Sequence, residues 1–385
     1  MTLILQSNKI ATRSLGNIDG IVGPRDFTLF SDFSSGRHRL ATPAGREDKG
    51  LSEIFDFSRN SEATFINSQG ELMSAGSGSP RLEHNIPQLG VRGLLLEKGR
   101  VNSFLNATAP ATQTIALVNG ATYAVVFSVV GSGSLTVTGD ITQTYGKTTP
   151  DGTALTVTEG TPGSAFLSVG AGQTGNINVQ VNGSLSFVQV ERADRPWAPS
   201  SRIISSSRER DDDKLSIKSS VLASLLSASG DFTVAMHVVN SYGAAYKPDG
   251  SNQIEARPVF QVLDSGGDHL ALANRVSGSG SRTSTVRTYM GGSELSLTSV
   301  SGQPEARAWT AVLGRGGNAM FAAVNGFINS GSTNVSPSFR PDKLLLGNFE
   351  SWTTRGGLFG VVTKLVVYPR MLSSDEIRLL STSWA

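Results

Sequence analysis

The chain of 385 residues contains no cysteine. This absence excludes disulfide bonds, thiolate–zinc sites and cysteine nucleophiles. A protein that must persist outside a cell without disulfides has to gain stability from larger cores or from oligomeric burial. The chain therefore depends on noncovalent packing throughout.

An excess of one sign of charge is also missing, since 33 Lys and Arg residues face 31 Asp and Glu residues. Binders of nucleic acid or of anionic membranes need a one-sided field, so we expect neither partner. The basic residues Arg202, Arg208 and Arg210 are followed directly by three aspartates at 211–213. Because this charge is cancelled locally, we predict that residues 199–214 form a solvated linker.

Long apolar runs are absent as well. No run reaches the roughly 18 apolar residues that a bilayer-spanning helix needs, so we expect no membrane insertion. Residues 1–19 lack the apolar core of a signal peptide. We therefore expect synthesis and folding in the cytoplasm.

Glycine, in contrast, is abundant, with 43 residues and no Gly-X-Y period that would indicate collagen. Hydrophobic residues make up 38%, enough for several small cores, and the length predicts two or three domains. Apolar and polar residues alternate between 107 and 198, at 123–130, 135–138, 155–158, 177–181 and 185–190. This pattern predicts a β-sandwich or jelly roll, with glycine-rich pieces such as 131–133 and 278–280 as hairpin turns.

The block 215–385 repeats this pattern, with strands predicted at 232–239, 259–263, 270–272, 308–313, 319–324 and 358–368. Near its end, Ser373 and Glu376 form a capping box, and Ile377, Leu379 and Leu380 give the following helix an apolar side. We expect this short helix to close one end of a second sandwich.

The first 106 residues are less regular. Residues 1–53 alternate glycine and proline with short apolar pieces such as FTLF at 27–30. We favour an extended arm that orders against another protein, with a loop-rich start to the first domain as the alternative. Residues 54–106 are interpreted as a turn-rich module with a short buried strand within 90–97.

Short motifs cluster in this module: FSRNSEATF at 57–65, Gly70, PRLEHN at 80–85, GLLLE at 93–97 and RVN at 100–102. Together they resemble a module of phage tail and other virion proteins, in which Thr often stands at the place of Val101. Residues 199–217, including Arg210 and Asp213, resemble the second signature of that family, with Arg202 and Ile203 replacing its usual Tyr-Ile pair. Residues 360–368, 371–373 and 376–377 are similar to the closing strand and helix of a concanavalin-like (laminin G-like) domain.

The resemblance implies a mostly β fold: tandem antiparallel β-sandwiches after an extended N-terminal arm. The first, at 107–198, would be jelly-roll-like and carbohydrate-binding-like, and the second, at 215–385, concanavalin-like. It also implies a bacteriophage virion structural protein, tail- or fibre-associated and homotrimeric. Its arm would bind other virion proteins, and its lectin-like domains would contact host surface polysaccharide. The alternatives are a head or neck decoration protein and a secreted polysaccharide-degrading enzyme with lectin-like modules.

Four charged residues stand among the apolar residues of the module: Arg59, Arg81, Glu97 and Arg100. Arginine offers planar, multi-donor contacts that tie loops together through carboxylates and carbonyls. We therefore predict a partly buried clamp in which Glu97 pairs with Arg59 or Arg81. The alternative is a set of separate, exposed charges.

The sequence shows no catalytic motif. His38, His84, His237 and His269 lack metal-site spacing, and no HExxH, GxSxG or P-loop motif is present, so we expect no enzyme activity and no cofactor. Asp264 and Asp268 in the loop DSGGD form a weak calcium site candidate, although an Asp/Gly turn is the preferred interpretation.

Sugar binding would use exposed aromatic faces. Only 7% of the residues are aromatic, and the candidates lie in predicted loops or strands: Tyr242, Tyr246, Tyr289 and Trp352. Trp309 is assigned to the core because it stands within an apolar strand.

Overall fold

The computed structural model describes residues 15–18, 21–84, 92–117, 123–139, 154–157, 163–169, 175–193, 200–204, 208–240, 255–276, 282–290, 293–300, 308–332, 335–336, 338–348, 350, 358, 360–382 and 384. The elements before residue 102 are β1 Leu15–Ile18, β2 Ile21–Pro24, β3 Leu29–Asp32, β4 Arg37–Thr42, β5 Gly45–Lys49, α1 Leu51–Ile54, β6 Phe55–Ser58, β7 Ala63–Ile66, β8 Leu72–Ala75, β9 Leu82–Glu83, β10 Gly93–Leu96 and β11 Arg100–Val101.

The elements that follow, up to residue 225, are β12 Gln113–Leu117, β13 Tyr123–Gly139, β14 Ala154–Val157, β15 Gly163–Val169, β16 Gly175–Ala193, β17 Glu209–Arg210, β18 Lys214–Ile217 and α2 Ser219–Leu225. The remaining elements are β19 Phe232–Asn240, β20 Glu255–Asp264, β21 His269–Val276, β22 Arg282–Met290, β23 Ser293–Val300, β24 Ala308–Gly316, β25 Ala319–Val324, β26 Phe327–Ser332, β27 Pro341–Leu346, β28 Gly360–Tyr368 and α3 Ser374–Thr382.

Two antiparallel sheets form a large sandwich. In the described part of the chain, the first sheet has the order β26-β25-β24-β19-β28-β3-β4-β5, with β10 also bonded to β28 and β9 bonded to β10. The second sheet has the order β23-β22-β21-β20-β27-β18-β6. Met236 and Leu365 of the first sheet share one core with Phe260 and Leu344 of the second. The predicted mostly β, antiparallel sandwich fold is confirmed.

The central strands of the first sheet are buried on both faces. In β19, Val234 and Met236 enter the core between the sheets, whereas Ala235 packs on the opposite face in a cluster that includes Ile377 and Leu380 of α3. Burial on both faces explains the nearly continuous apolar run of this strand. The predicted helix is confirmed, but it covers the outer face of the first sheet instead of closing an end of the sandwich. No helix among the described residues combines the length and apolarity needed to cross a membrane.

The N-terminal segment completes this sandwich. β3 pairs with β28, with Phe30 opposite Val366, and β4 and β5 extend the sheet from it. The predicted extended arm at 1–53 is therefore wrong for 29–49, and residues 1–14 lie outside the described residues. The module at 54–106 is not a separate unit either, because β6 joins the second sheet and β10 the first. Strands of four residues cannot bury a face alone, so they are stable only as additions to larger sheets.

The central strands β12 to β16 form a sheet with its own core, which includes Phe127, Val129, Ile177 and Val190. β13 is one strand of 17 residues that contains a bulge between Val130 and Gly131. The prediction of a hairpin turn at 131–133 is wrong, while 278–280 lies outside the described residues.

The strand continues through these glycines because Gly133 lets its backbone approach the neighbouring strand closely. Its φ is 156°, and an added Cβ would lie 2.1 Å from the carbonyl oxygen of Asn182 in β16. Glycine inside a strand commonly marks such a bulge or a close backbone approach. These glycines therefore allow a long strand to bend without interrupting it.

Candidate functional site

A cluster of buried charged side chains lies where the module at 54–106 meets the residues just before β18. We call it the ion-pair cluster, and it consists of Arg59, Arg81, Glu97, Arg210 and Asp213. Four of these side chains are entirely buried and that of Glu97 is 4% exposed. Burying so many charges is unfavourable unless every one is paired and hydrogen-bonded.

Asp213 lies at the centre of the cluster. Its Oδ1 accepts a hydrogen bond of 3.0 Å from Nη1 of Arg59. Its Oδ2 accepts hydrogen bonds from Arg81 and, at 2.9 Å, from the backbone N–H of Glu97. The sheet register explains this position: Lys214 at the start of β18 pairs with Ser58 at the end of β6, so the adjoining residues Asp213 and Arg59 become neighbours.

Glu97 follows β10, and its carboxylate forms ion pairs through one oxygen and accepts a hydrogen bond through the other. Its Oε2 lies 2.9 Å from Nη1 of Arg81 and 3.8 Å from Nη1 of Arg210, and its Oε1 accepts the backbone N–H of Ser201 at 2.9 Å. Burial alone would raise the pKa of Glu97, but the charges of Arg210 and Arg81 outweigh it and lower the pKa to about 2. This carboxylate therefore stays ionised at neutral pH.

The remaining donors of Arg59 are satisfied by backbone carbonyls. Nη2 donates to the oxygens of Ala75 at 3.1 Å, Gly76 at 2.8 Å and Ser79 at 3.1 Å, and Nε donates to the oxygen of Ser61 at 2.8 Å. One guanidinium thus ties together β6, the β7–β8 hairpin and the segment before β18.

A second buried network connects the module to the central sheet. Glu191 in β16 accepts hydrogen bonds from the backbone N–H of Ser200 at 3.0 Å and from Gln189 at 2.9 Å. Burial raises the pKa of Glu191, and the positive charge of Arg100 offsets part of this rise. The side-chain oxygen of Asn102 accepts the backbone N–H of Val190 at 2.9 Å. The central sheet is therefore anchored to the module through buried polar contacts.

The structure brings together three of the four predicted clamp residues, Arg59, Arg81 and Glu97, and buries them more deeply than expected. Glu97 contacts Arg81 rather than Arg59. Arg100 instead acts on Glu191, and its backbone pairs with that of Arg210.

Sequence reasoning does not identify Arg210 and Asp213 as cluster residues, because a locally balanced charge run predicts a solvated linker at 199–214. That prediction is wrong for both residues, because neither side chain is exposed. The second motif of the resemblance contains both residues and was the signal that could have identified them.

The predicted sugar-contacting residues remain predictions. Tyr242, Tyr246 and Trp352 lie outside the described residues, and for Tyr289 only the backbone position in β22 is described. Trp309 is buried in the sandwich core, as expected.

The loop between β20 and β21 has the geometry of an Asp/Gly turn. Oδ1 of Asp264 accepts the backbone N–H groups of Gly266 and Asp268, both at 2.9 Å, which closes the hairpin. Across the described residues, no group of three or more His, Asp or Glu side chains is placed to hold a metal ion.

No protein-family model and no curated protein matches this chain. Among solved structures, it is similar to domain 4 of the GH43 arabinanase AbnA from Geobacillus stearothermophilus in complex with arabinotriose. The identity is 13%, covering 44% of this chain and 73% of that one, with a TM-score of 0.31. For the Ruminococcus gnavus IT-sialidase CBM40, the identity is 17%, the coverages are 40% and 84%, and the TM-score is 0.27.

The chain is also similar to Trypanosoma rangeli sialidase, with 21% identity and a TM-score of 0.28 over 40% of this chain. It spans only 23% of that sialidase. At these identities and TM-scores the similarities identify neither a ligand nor a reaction. The sandwich architecture stated above rests on the sheet topology itself.

Proposed function

We propose that this chain is a non-enzymatic structural protein of a bacteriophage virion, associated with a tail or fibre, that presents its sandwich domains to host surface glycans. One observation carries the proposal. The two motifs that resemble virion proteins, around 57–102 and 199–217, converge in the ion-pair cluster. Residues of both motifs therefore meet in one buried cluster that joins distant segments of the chain.

The geometry of the cluster supports a structural role for these motifs. Asp213 and Glu97 are buried and paired with arginines, so neither carboxylate is available to exchange protons with a substrate. Buried ionic networks are retained in some proteins because they select one arrangement of segments, even when their net contribution to stability is small. A protein that displays domains on a particle needs such a fixed arrangement.

The proposal is tested on intact particles and on the purified full chain. Antibody labelling in electron microscopy is expected to place the protein on the tail, and native mass measurement is expected to give a trimer. Purified protein is expected to be retained by host surface polysaccharide without shortening it. Label on the head would instead favour a decoration protein, and shortened polysaccharide chains would favour the enzyme alternative. Particles without label would overturn the proposal.

A further inference from the structure

An open cleft with a volume of about 610 Å³ lies beside the ion-pair cluster, between β11, β17 and the facing ends of β6 and β18. Its volume is within the range of about 300–1,000 Å³ that is typical of small-molecule sites. Arg59, Arg100 and Arg210 form its floor, and its rim includes Asn60, Asp211 and Lys214. Arg59 and Arg100 belong to the clamp predicted from the sequence, but the sequence predicts no ligand site at this position.

Two of the three arginines in the floor of the cleft are held in place by buried contacts. Arg59 is held by Asp213 and four backbone carbonyls, and Arg210 lies 3.8 Å from both Glu97 and Asp213. The backbone N–H of Gly99 donates to Oδ1 of Asp212 at 2.5 Å, which fixes one wall. A ligand therefore meets a preorganised surface, which lowers the entropy lost on binding.

The charges around the cleft balance. Five basic and three acidic side chains line the cleft, and behind its floor lie one buried arginine, Arg81, and three buried carboxylates, Glu97, Glu191 and Asp213, so the two signs are equal in number. A polyanion or polycation would find no net field of the opposite sign. No aromatic ring lies among the lining residues that the structure describes, so stacking contributes nothing here.

The rim offers both donors and acceptors that are still available. The side chains of Asn60, Asp211 and Lys214 are exposed and form no hydrogen bond or ion pair with other described residues. A ligand that displaces water from these groups must replace the lost hydrogen bonds. A sugar hydroxyl can do so because it both donates, here to Asp211, and accepts, here from Asn60 or Lys214.

We propose that this cleft binds a short stretch of an uncharged glycan through hydrogen bonds to its rim. The inference rests on the glycan contact in the proposed function and deepens it by naming the site and the class of sugar. It places that contact at the joint between the module and the β-sheets.

Isothermal titration calorimetry of the full chain tests this with maltohexaose, laminarihexaose and mannohexaose, and with hexagalacturonate as the acidic comparison. At least one neutral hexasaccharide is expected to bind, and hexagalacturonate is expected to bind more weakly. Asn60→Ala and Lys214→Met are each expected to weaken binding by about tenfold, since a lost hydrogen bond to a ligand has that order of effect. Val101→Trp, which fills the cleft from its exposed rim, is expected to abolish binding.

The matched control is Leu72→Trp, the same kind of change at an exposed position of β8 outside the cleft, and it is expected to bind as the wild type does. Circular dichroism confirms that each variant is folded. If Val101→Trp and Asn60→Ala still bind a neutral glycan or host polysaccharide, the cleft is not the binding site. The proposed function would then stand without it. A preference for hexagalacturonate overturns the charge argument and the proposal with it. Binding of none of these sugars, together with no retention on host polysaccharide, overturns both proposals.

Discussion

Arg59 and Asp213 lie 154 residues apart in the chain, yet their side chains form a 3.0 Å ion pair that is entirely buried. Removing two charges from water is unfavourable, and their attraction offsets this only when the remaining donors and acceptors are also satisfied. Here Arg59 donates to four backbone carbonyls and Asp213 accepts from Arg81 and from the backbone of Glu97. The pair therefore specifies which distant segments meet.

Replacing Asp213 with asparagine is expected to lower the free energy of unfolding by about 3–5 kcal/mol, because the guanidinium group of Arg59 would stay buried without its counter-charge and that of Arg81 would keep only Glu97. Chemical denaturation measures this change. Asp211→Asn, two positions earlier and exposed, is the matched control and is expected to change the stability by less than about 0.5 kcal/mol. Equal stability of the two variants would contradict a structural role for the cluster.

The stability is expected to fall in acid through Glu97. Its folded-state pKa of about 2 lies below its ordinary value of 4.5, so its contribution is present above pH 4.5 and is lost as the pH falls towards 2. Glu97→Gln should therefore be less stable at neutral pH and should show a shallower decline between pH 4.5 and 2. Denaturation at a series of pH values measures this, with Asp342→Asn as the exposed control. An unchanged slope in Glu97→Gln would refute the assignment.

A second pH dependence is expected at higher pH from His237. Burial, followed by the charge of Lys364, lowers the pKa of His237 to about 4 from an ordinary value of 6.5. The unfolded chain binds this proton more readily, so the stability should fall as the pH drops from 6.5 to 4, by up to about 1.4 kcal/mol per pH unit. His237→Gln should flatten this part of the profile. Burial also lowers the pKa of His38, which supplies the dependence that remains.

The control for this second profile is His84→Gln, which changes a half-buried histidine outside the sandwich core and should retain the wild-type dependence. The two windows, 6.5 to 4 for His237 and 4.5 to 2 for Glu97, separate the contributions of the two groups. A His237→Gln variant with the full wild-type decline above pH 4.5 would show that another group is responsible.

Gly99 should not tolerate a side chain. An added Cβ would lie 2.8 Å from the carbonyl oxygen of Arg210 and 3.1 Å from the nitrogen of Asp212, and both are backbone atoms that cannot move independently. Gly99→Ala is therefore expected to lower the free energy of unfolding by about 1–3 kcal/mol. Gly76→Ala, where an added Cβ meets nothing within 4 Å, is the matched control and should cause no loss. Comparable thermal midpoints for the two variants would argue against the close approach.

Local patterns were sufficient for part of the regular elements. In the C-terminal block they predict six strands of the large sandwich, β19, β20, β21, β24, β25 and β28, and leave β22, β23, β26 and β27 unpredicted. The capping box is correct: the backbone N–H of Ser373 donates to Oε2 of Glu376 at 2.8 Å before α3 begins. These signals involve only residues that are a few positions apart, so they can be read from the sequence without knowledge of the tertiary structure. The interruption predicted at 131–133 failed because a glycine pair suits both a turn and a bulge, and only the partner strand β16 distinguishes them.

The amino-acid sequence by itself determined the mostly β character, the helix near the C-terminus and the absence of cysteine chemistry, because each follows from composition or short-range spacing. Only the tertiary structure decided that β3, β6 and β10 complete the sandwich and that Arg210 and Asp213 are buried. A four-residue strand does not encode its partner. An exposed charge and a buried one look alike until a counter-charge more than a hundred residues away is placed beside it.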